Sequence, residues 1–266
     1  MGVFQSVVLG AVQGLTEFLP VSSDGHLAVT YRLFGSSPDL TFEVFLHLAT
    51  LIAMVVFFWK DIVALTRSLA PSGKGSPERR LVWLIVMGTG ISGVLALVLR
   101  SVVEQANESL VAIGAGFLVT SAALLAAELL AKRVATREPC ELGPARTAAV
   151  AVAQALATLP GLSRSGSTIA AGMLSGLSRE SAARFSFLLG IPIIAAANIY
   201  EAKDVLTGAA PLPPLGAALA GFLTAGVVGY LAILGLLKLV RTRPLYAFSV
   251  YTGVVGVAVI VWGTVA

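Results

Sequence analysis

The sequence predicts an all-α polytopic membrane protein with six transmembrane helices and two re-entrant helical hairpins, arranged as an inverted repeat. Three observations carry this. The 266 residues are 57% hydrophobic and 12% charged, with a mean hydropathy of +0.91, which leaves too few polar side chains to cover a soluble globule of that size. Six stretches, roughly 42–59, 81–99, 110–131, 183–200, 215–238 and 245–265, meet the run of about 20 apolar residues that a span needs. Two further apolar regions, 1–35 and 147–178, are split near the middle by polar, helix-breaking residues, at Pro20 to Gly25 and at Pro160 to Gly166.

Each half of a broken region is too short to cross a bilayer alone, so each region dips in and returns. The two regions also resemble each other. Gln13 precedes Gly25 by 12 residues and Gln154 precedes Gly166 by 12, with Leu19-Pro20 matching Leu159-Pro160 between them. Phe42 to Lys60-Asp61 and Phe185 to Lys203-Asp204 share an 18-residue spacing. The chain is therefore read as a single transmembrane domain, 1–266, with repeat one about 1–131 and repeat two about 147–266, each a hairpin followed by three spans. An odd number of spans turns the second unit upside down.

Loop charges give the orientation. Lys60, Arg67, Lys74, Arg79 and Arg80 lie in 60–80, Lys132, Arg133, Arg137 and Arg146 in 132–146, and Lys238, Arg241 and Arg243 in 238–243. The alternate loops are poor in net positive charge: 100–109 sets Arg100 against Glu104 and Glu108, and 201–214 sets Lys203 against Glu201 and Asp204. The basic loops mark the cytoplasmic face, which puts both termini outside. The hairpins then enter from opposite faces, and their tips meet near the midplane. The same rule accounts for the net charge of +4 without nucleic acid. The first 19 residues lack a basic leader and carry Gln5, Gln13 and Glu17, which argues against a cleaved signal peptide. The single Cys140 excludes an intramolecular disulfide and fits no metal-ligand spacing; it is read as an inert loop side chain.

The tips carry the chemistry. In the first, Pro20 ends a short helix and Ser22-Ser23-Asp24-Gly25 starts the next, so unpaired N–H groups and the positive dipole end favour an anion there. In the second, Pro160 to Thr168 repeats this design, with Ser163, Ser165, Ser167 and Thr168, the close-approach glycine Gly166, and Arg164 suited to bidentate oxyanion binding. A capped helix start would look the same in isolation. Beside Glu17, Ser23 and His26, the second tip reads as a phosphate cradle for phosphoryl transfer. Glu17 serves either as a Mg²⁺ ligand or as a base, Ser23 or a water is the nucleophile, and His26, three residues on, is the proton carrier. Inverted repeats with broken helices are also typical of carriers, so a transporter or flippase of phosphorylated lipid is the rival class, with an anion channel third.

The stretch Gly14-Leu15-Thr16-Glu17-Phe18-Leu19-Pro20-Val21-Ser22-Ser23 with Gly25-His26, and the stretch Pro160 to Thr168, resemble the two signature motifs of undecaprenyl-diphosphate phosphatases, the bacitracin-resistance family. The resemblance extends over nearly the whole chain and includes Ser178-Arg179 and Phe185 to Leu189 with Pro192. It implies hydrolysis of the terminal phosphate of a C55 polyprenyl diphosphate, recycling the lipid carrier of cell-wall synthesis. The enzyme would sit in the bacterial plasma membrane, with its site opening outward and a divalent cation as cofactor, Mg²⁺ or alternatively Ca²⁺. It carries Glu17, Ser23, His26 and Arg164 over as catalytic and Ser22, Ser163, Ser165, Gly166, Thr168 and Arg179 as substrate-binding; Glu17 is read as a metal ligand, and the anion of Asp24 either joins it there or repels substrate. Partners are the lipid substrate and the bilayer, with a homodimer left open. Two departures from the family are Gln13, where some members have glutamate, and Asp24, where many have Thr or Ser.

Smaller expectations concern His47, one turn beyond Glu43, read as an interhelical hydrogen bond or a cavity-lining group, and Asn198 and Tyr200, read as interfacial. Gly88-Thr89-Gly90 and Gly221 to Gly229 are read as close helix packing, the latter alternatively as a lateral opening for the prenyl tail.

Overall fold

The computed structural model describes residues 1–107, 109–131, 137–206 and 213–265. In chain order the helices are α1 (Val3–Thr16), α2 (Ser23–Leu33), α3 (Leu40–Phe57), α4 (Trp59–Arg67), α5 (Pro77–Asn107), α6 (Leu110–Leu130), α7 (Pro144–Leu156), α8 (Arg164–Leu174), α9 (Arg179–Leu206), α10 (Leu215–Thr242) and α11 (Tyr246–Val265). The six expected spans are present as helices long and apolar enough to cross a membrane, within α3, α5, α6, α9, α10 and α11. The two broken regions form helix–turn–helix pairs, α1–α2 and α7–α8. Their arms run 14, 11, 13 and 11 residues, so at about 1.5 Å per residue none approaches the ~30 Å of a hydrocarbon core.

Local signals start the helices where they begin. Asp39 caps α3 by accepting from the Phe42 N–H at 3.0 Å, and Ser109 caps α6 by accepting from the Ala112 N–H at 3.2 Å. Pro77 and Pro144 open α5 and α7, where a missing N–H costs nothing. The segment expected as a loop, 60–80, instead holds α4, and α5 runs past the expected 81–99 at both ends. Ile62 and Leu65 of α4 pack into the apolar core while Lys60 and Arg67 stay exposed. Glu108, Lys132 and Arg133 of the loop-charge pattern, and the side chain of Asp204, lie outside the described residues. Cys140 sits in a short turn after α6, where burial pushes its thiol above the usual range, away from the reactive thiolate form.

Packing is closest along α1–α10 and α6–α11, with α5–α7, α3–α10, α5–α9 and α3–α9 completing the bundle. Gly221 and Gly229 face the rings of Phe42 and Phe18, so the glycine run of α10 receives aromatic side chains. The α6–α11 seam is pinned reciprocally: Ser121 Oγ donates to the Ser249 carbonyl at 2.7 Å, and Ser249 Oγ to the Ser121 carbonyl at 2.8 Å. Outward, Val250, Val254, Val257 and Val261 form an exposed apolar stripe on α11 at helical spacing, the face such a helix turns to lipid. Asn198, expected at an interface, is buried and donates to the Ile194 carbonyl at 3.0 Å, while Tyr200 is exposed and accepts from Arg100.

Candidate active site

The site is built where the two turns meet. Glu17 follows the last residue of α1 and is 7% exposed. Its Oε2 accepts from Ser23 Oγ at 2.8 Å and from Gln13 Nε2 at 3.1 Å, and its Oε1 accepts from Arg164 Nη2 at 2.6 Å. Ser23 is the first residue of α2 and Arg164 the first residue of α8. Two helix N-termini, each with free N–H groups and a positive dipole end, thus converge on one buried carboxylate. Ser165 ties the turns together by donating to the Leu19 carbonyl at 3.0 Å.

The turns hold this geometry in different ways. Ser22 caps α2 with φ at +72°, a conformation that side chains other than glycine rarely adopt, and its Oγ faces the Gly25 N–H at 3.4 Å. In the second turn the left-handed residue is Gly161, at φ +76°, and a methyl there would overlap the Ile113 carbonyl of α6. Ser163 caps α8 by accepting from the Gly166 N–H at 3.0 Å, while its own N–H donates to Thr120 Oγ1 of α6 at 2.9 Å.

The expected site residues divide accordingly. Glu17, Ser23 and Arg164 meet directly. Ser22, Ser163, Ser165 and Thr168 are engaged within the protein: Thr168 Oγ1 donates to the Arg164 carbonyl at 2.7 Å and lies 2.6 Å from Ser186 Oγ. These hydroxyls shape the turns. Gly166 packs its α-carbon against Ser163 and Thr120. His26 turns toward α11: Nδ1 donates to the Ser22 carbonyl at 2.7 Å, Nε2 lies 2.7 Å from Tyr251 Oη, and the two rings stack at 5.6 Å. A carbonyl can only accept, so Nδ1 carries the proton and a neutral ring accepts from Tyr251.

Arg179 pairs with Glu128 of α6 through Nε at 2.7 Å and Nη2 at 2.5 Å, and Glu128 Oε1 also accepts from the Leu245 N–H at 2.8 Å. Glu128 has 1% of its side chain exposed, against 41% for Arg179. Truncating the arginine leaves a buried carboxylate short of its partner. Arg179→Ala is expected to cost about 1–3 kcal/mol, discounted for the exposed guanidinium, and to lower the thermal midpoint in detergent. Turnover per folded molecule should stay within about threefold if the Glu128 pair is Arg179's whole role, and a larger loss would assign it to substrate binding.

Three groups escaped sequence reasoning or were given little weight. His47 of α3 places Nε2 3.6 Å from Asp24 Oδ1 and 3.9 Å from Glu17 Oε2; the signal was a histidine within a span. Thr120 carries the second turn. Gly190 of α9 provides the notch that Arg164 occupies, because a methyl there would overlap Nη1. Gly190→Ala is expected to displace the guanidinium and lower phosphate release about tenfold or more without loss of helical content, read by circular dichroism and turnover together.

The model of the family "Bacitracin resistance protein BacA" matches residues 6–258. An undecaprenyl-diphosphatase of Methanosphaera stadtmanae is 37% identical over 279 residues, covering 100% of this chain and 99% of the relative. One from Desulforapulum autotrophicum is 39% identical over 280 residues, covering 100% of both. One from Pelotomaculum thermopropionicum is 40% identical over 262 residues, covering 98% of this chain and 97% of the relative. With six helices among the described residues able to cross a membrane and a family match over almost its full length, the chain belongs to the bacitracin resistance protein BacA family.

Proposed function

We propose that the protein hydrolyses undecaprenyl diphosphate to undecaprenyl phosphate and inorganic phosphate, at a site formed by two re-entrant hairpins and open to the outer face of the plasma membrane. The observation that carries this is the convergence of Ser23 and Arg164, the first residues of α2 and α8, on the Glu17 carboxylate. The full-length relatives named undecaprenyl-diphosphatase supply the substrate class.

Arg164 and the first N–H groups of α8 would bind the non-bridging oxygens of the diphosphate and neutralise their charge as the terminal phosphoryl group transfers. Glu17 would take the Ser23 proton as Oγ attacks the terminal phosphorus. The bond from that phosphorus to the bridging oxygen then breaks and the lipid phosphate leaves; water completes the cycle by hydrolysing the phosphoserine. A water in the place of the Ser23 hydroxyl would follow the same route in a single step. His26 would hold α2 against α11 through Tyr251.

Glu17 and Asp24 do not fit a divalent cation held by the protein alone. Both Glu17 oxygens are already engaged, and among the described residues no group of three or more carboxylates, histidines or cysteines forms a cage. Mg²⁺ or Ca²⁺ would come as a companion of the diphosphate oxygens, which are hard ligands of the kind it prefers.

The contacts between helices support the inverted repeat. Exchanging α1, α2, α3, α5 and α6 for α7, α8, α9, α10 and α11 turns α1–α10 into α7–α5, α3–α10 into α9–α5 and α1–α2 into α7–α8, and each of these contacts exists. The same symmetry favours lipid transport as a second reading. Phosphate release from a C55 diphosphate by purified protein in detergent, with Mg²⁺ or a chelator, decides between them. The phosphatase releases phosphate, and phosphate bound covalently at Ser23 would separate the two chemical routes. A pure carrier releases none.

A further inference from the structure

Two titratable groups at the site, Asp24 and His47, have no task in the proposed chemistry. His47 Nδ1 lies 3.0 Å from the Glu43 carbonyl oxygen, which can only accept, so Nδ1 carries a proton. Nε2 faces two carboxylates, Asp24 at 3.6 Å and Glu17 at 3.9 Å, and these also only accept. Nε2 is thus the nitrogen turned toward the site, where the charge of the two carboxylates favours a proton on it. Glu43 on its own helix and Glu201 on α9 act on it electrostatically as well. With Arg164 it sets two basic side chains against Glu17, one on each carboxylate oxygen, and Asp24 lies beside the second.

The two carboxylates are held very differently. Glu17 has 6% of its side chain exposed and three donors upon it. Asp24 has 62% exposed and meets His47 beyond ordinary hydrogen-bond length. It is the second residue of α2, where the helix dipole favours negative charge. An anion is thus kept beside a basic side chain at a helix N-terminus, in a form free to leave. A diphosphate entering the site meets repulsion from that exposed carboxylate and offers Nε2 of His47 a more highly charged partner.

We infer that Asp24 is a placeholder for the substrate's phosphate and that His47 is a second phosphate-binding side chain, across Glu17 from Arg164. At rest Asp24 keeps Nε2 of the imidazole aimed at the site. When the diphosphate binds, a phosphate oxygen takes over His47 and Asp24 moves into solvent. His47 is then a binding residue and Asp24 a positioning residue. The inference rests on the phosphatase reading of the site.

Methylenediphosphonate, whose bridge cannot be hydrolysed, is the probe. Its binding to the purified full chain in detergent is measured by calorimetry, with chelator and with Mg²⁺, beside phosphate release from a C55 diphosphate. Asp24→Asn is expected to bind the probe about fivefold tighter than the parent, because the exposed carboxylate no longer competes. His47→Gln is expected to bind about tenfold weaker, His47→Lys to restore most of that loss, and the double variant D24N/H47Q to match H47Q. Binding by D24N that is unchanged or weaker overturns the inference; if it is weaker only with Mg²⁺, Asp24 is a cation ligand instead. Unchanged binding by H47Q overturns it too, and if H47Q does not fold, D24N and H47K decide. A parent protein that releases no phosphate from the lipid sinks the phosphatase reading alone. A parent that turns over while D24N gains nothing sinks only the placeholder.

Discussion

Glu17→Gln is expected to lower phosphate release from a C55 diphosphate by about 10²–10³-fold while the purified protein keeps its helical spectrum. The amide has nearly the same shape and still offers an oxygen to Arg164 or Ser23, so the turns can stay together. It cannot take a proton from Ser23, and its –NH₂ must face one of the three donors that now point at Oε1 and Oε2. Arg164, with 15% of its side chain exposed, also loses the charge that offsets it. Probe affinity separates the two losses. If phosphate release falls while methylenediphosphonate binding holds, the carboxylate acts on the proton. Turnover within about threefold of the parent would make Glu17 a structural group and remove it from the chemistry.

The second large effect is on folding. Gly161→Ala is expected to destabilise the protein by about 3 kcal/mol or more and to lower the yield of monodisperse material in detergent. Two costs add. The left-handed φ of +76° penalises any side chain by about 1–2 kcal/mol. The new methyl also overlaps the Ile113 carbonyl of α6, so the turn must lift away from the helix that carries Thr120, breaking the bond from the Ser163 N–H. Because that turn presents Arg164, surviving molecules should turn over more slowly as well. A thermal midpoint equal to the parent's would show that the turn can relax without its anchor on α6.

Much of this arrangement is legible in the sequence because lipid demands it. A span must be long and apolar, so the six long helices stand out by hydropathy. A break in an apolar run must be explained, which singles out both turns. Helix α4 is less legible because a window sized for a span averages Trp59, Ile62 and Leu65 with Lys60, Asp61 and Arg67 and returns a charged loop. His26 shows another boundary. Its three-residue spacing from Ser23 assigns it a helix face, but Tyr251, 225 residues away, decides where the ring points. Gly190 and Thr120 act only through what another helix brings to them, and neither carries a local pattern. His47 could be singled out, as a histidine in a span, but not oriented: the Glu43 carbonyl one turn back fixes its tautomer, and Asp24 and Glu17 lie on other segments.

The reciprocal bonds between Ser121 and Ser249 carry a consequence for the symmetry of the site. Each serine hydroxyl reaches the other's carbonyl, which is the form of an isologous contact between two copies of one subunit related by a twofold axis. Under the proposed repeat, α6 and α11 are the same helix twice. On that reading the seam would be a twofold contact closed within one chain, and the two turns, unlike those of identical subunits, can carry different groups, Glu17 on one and Arg164 on the other.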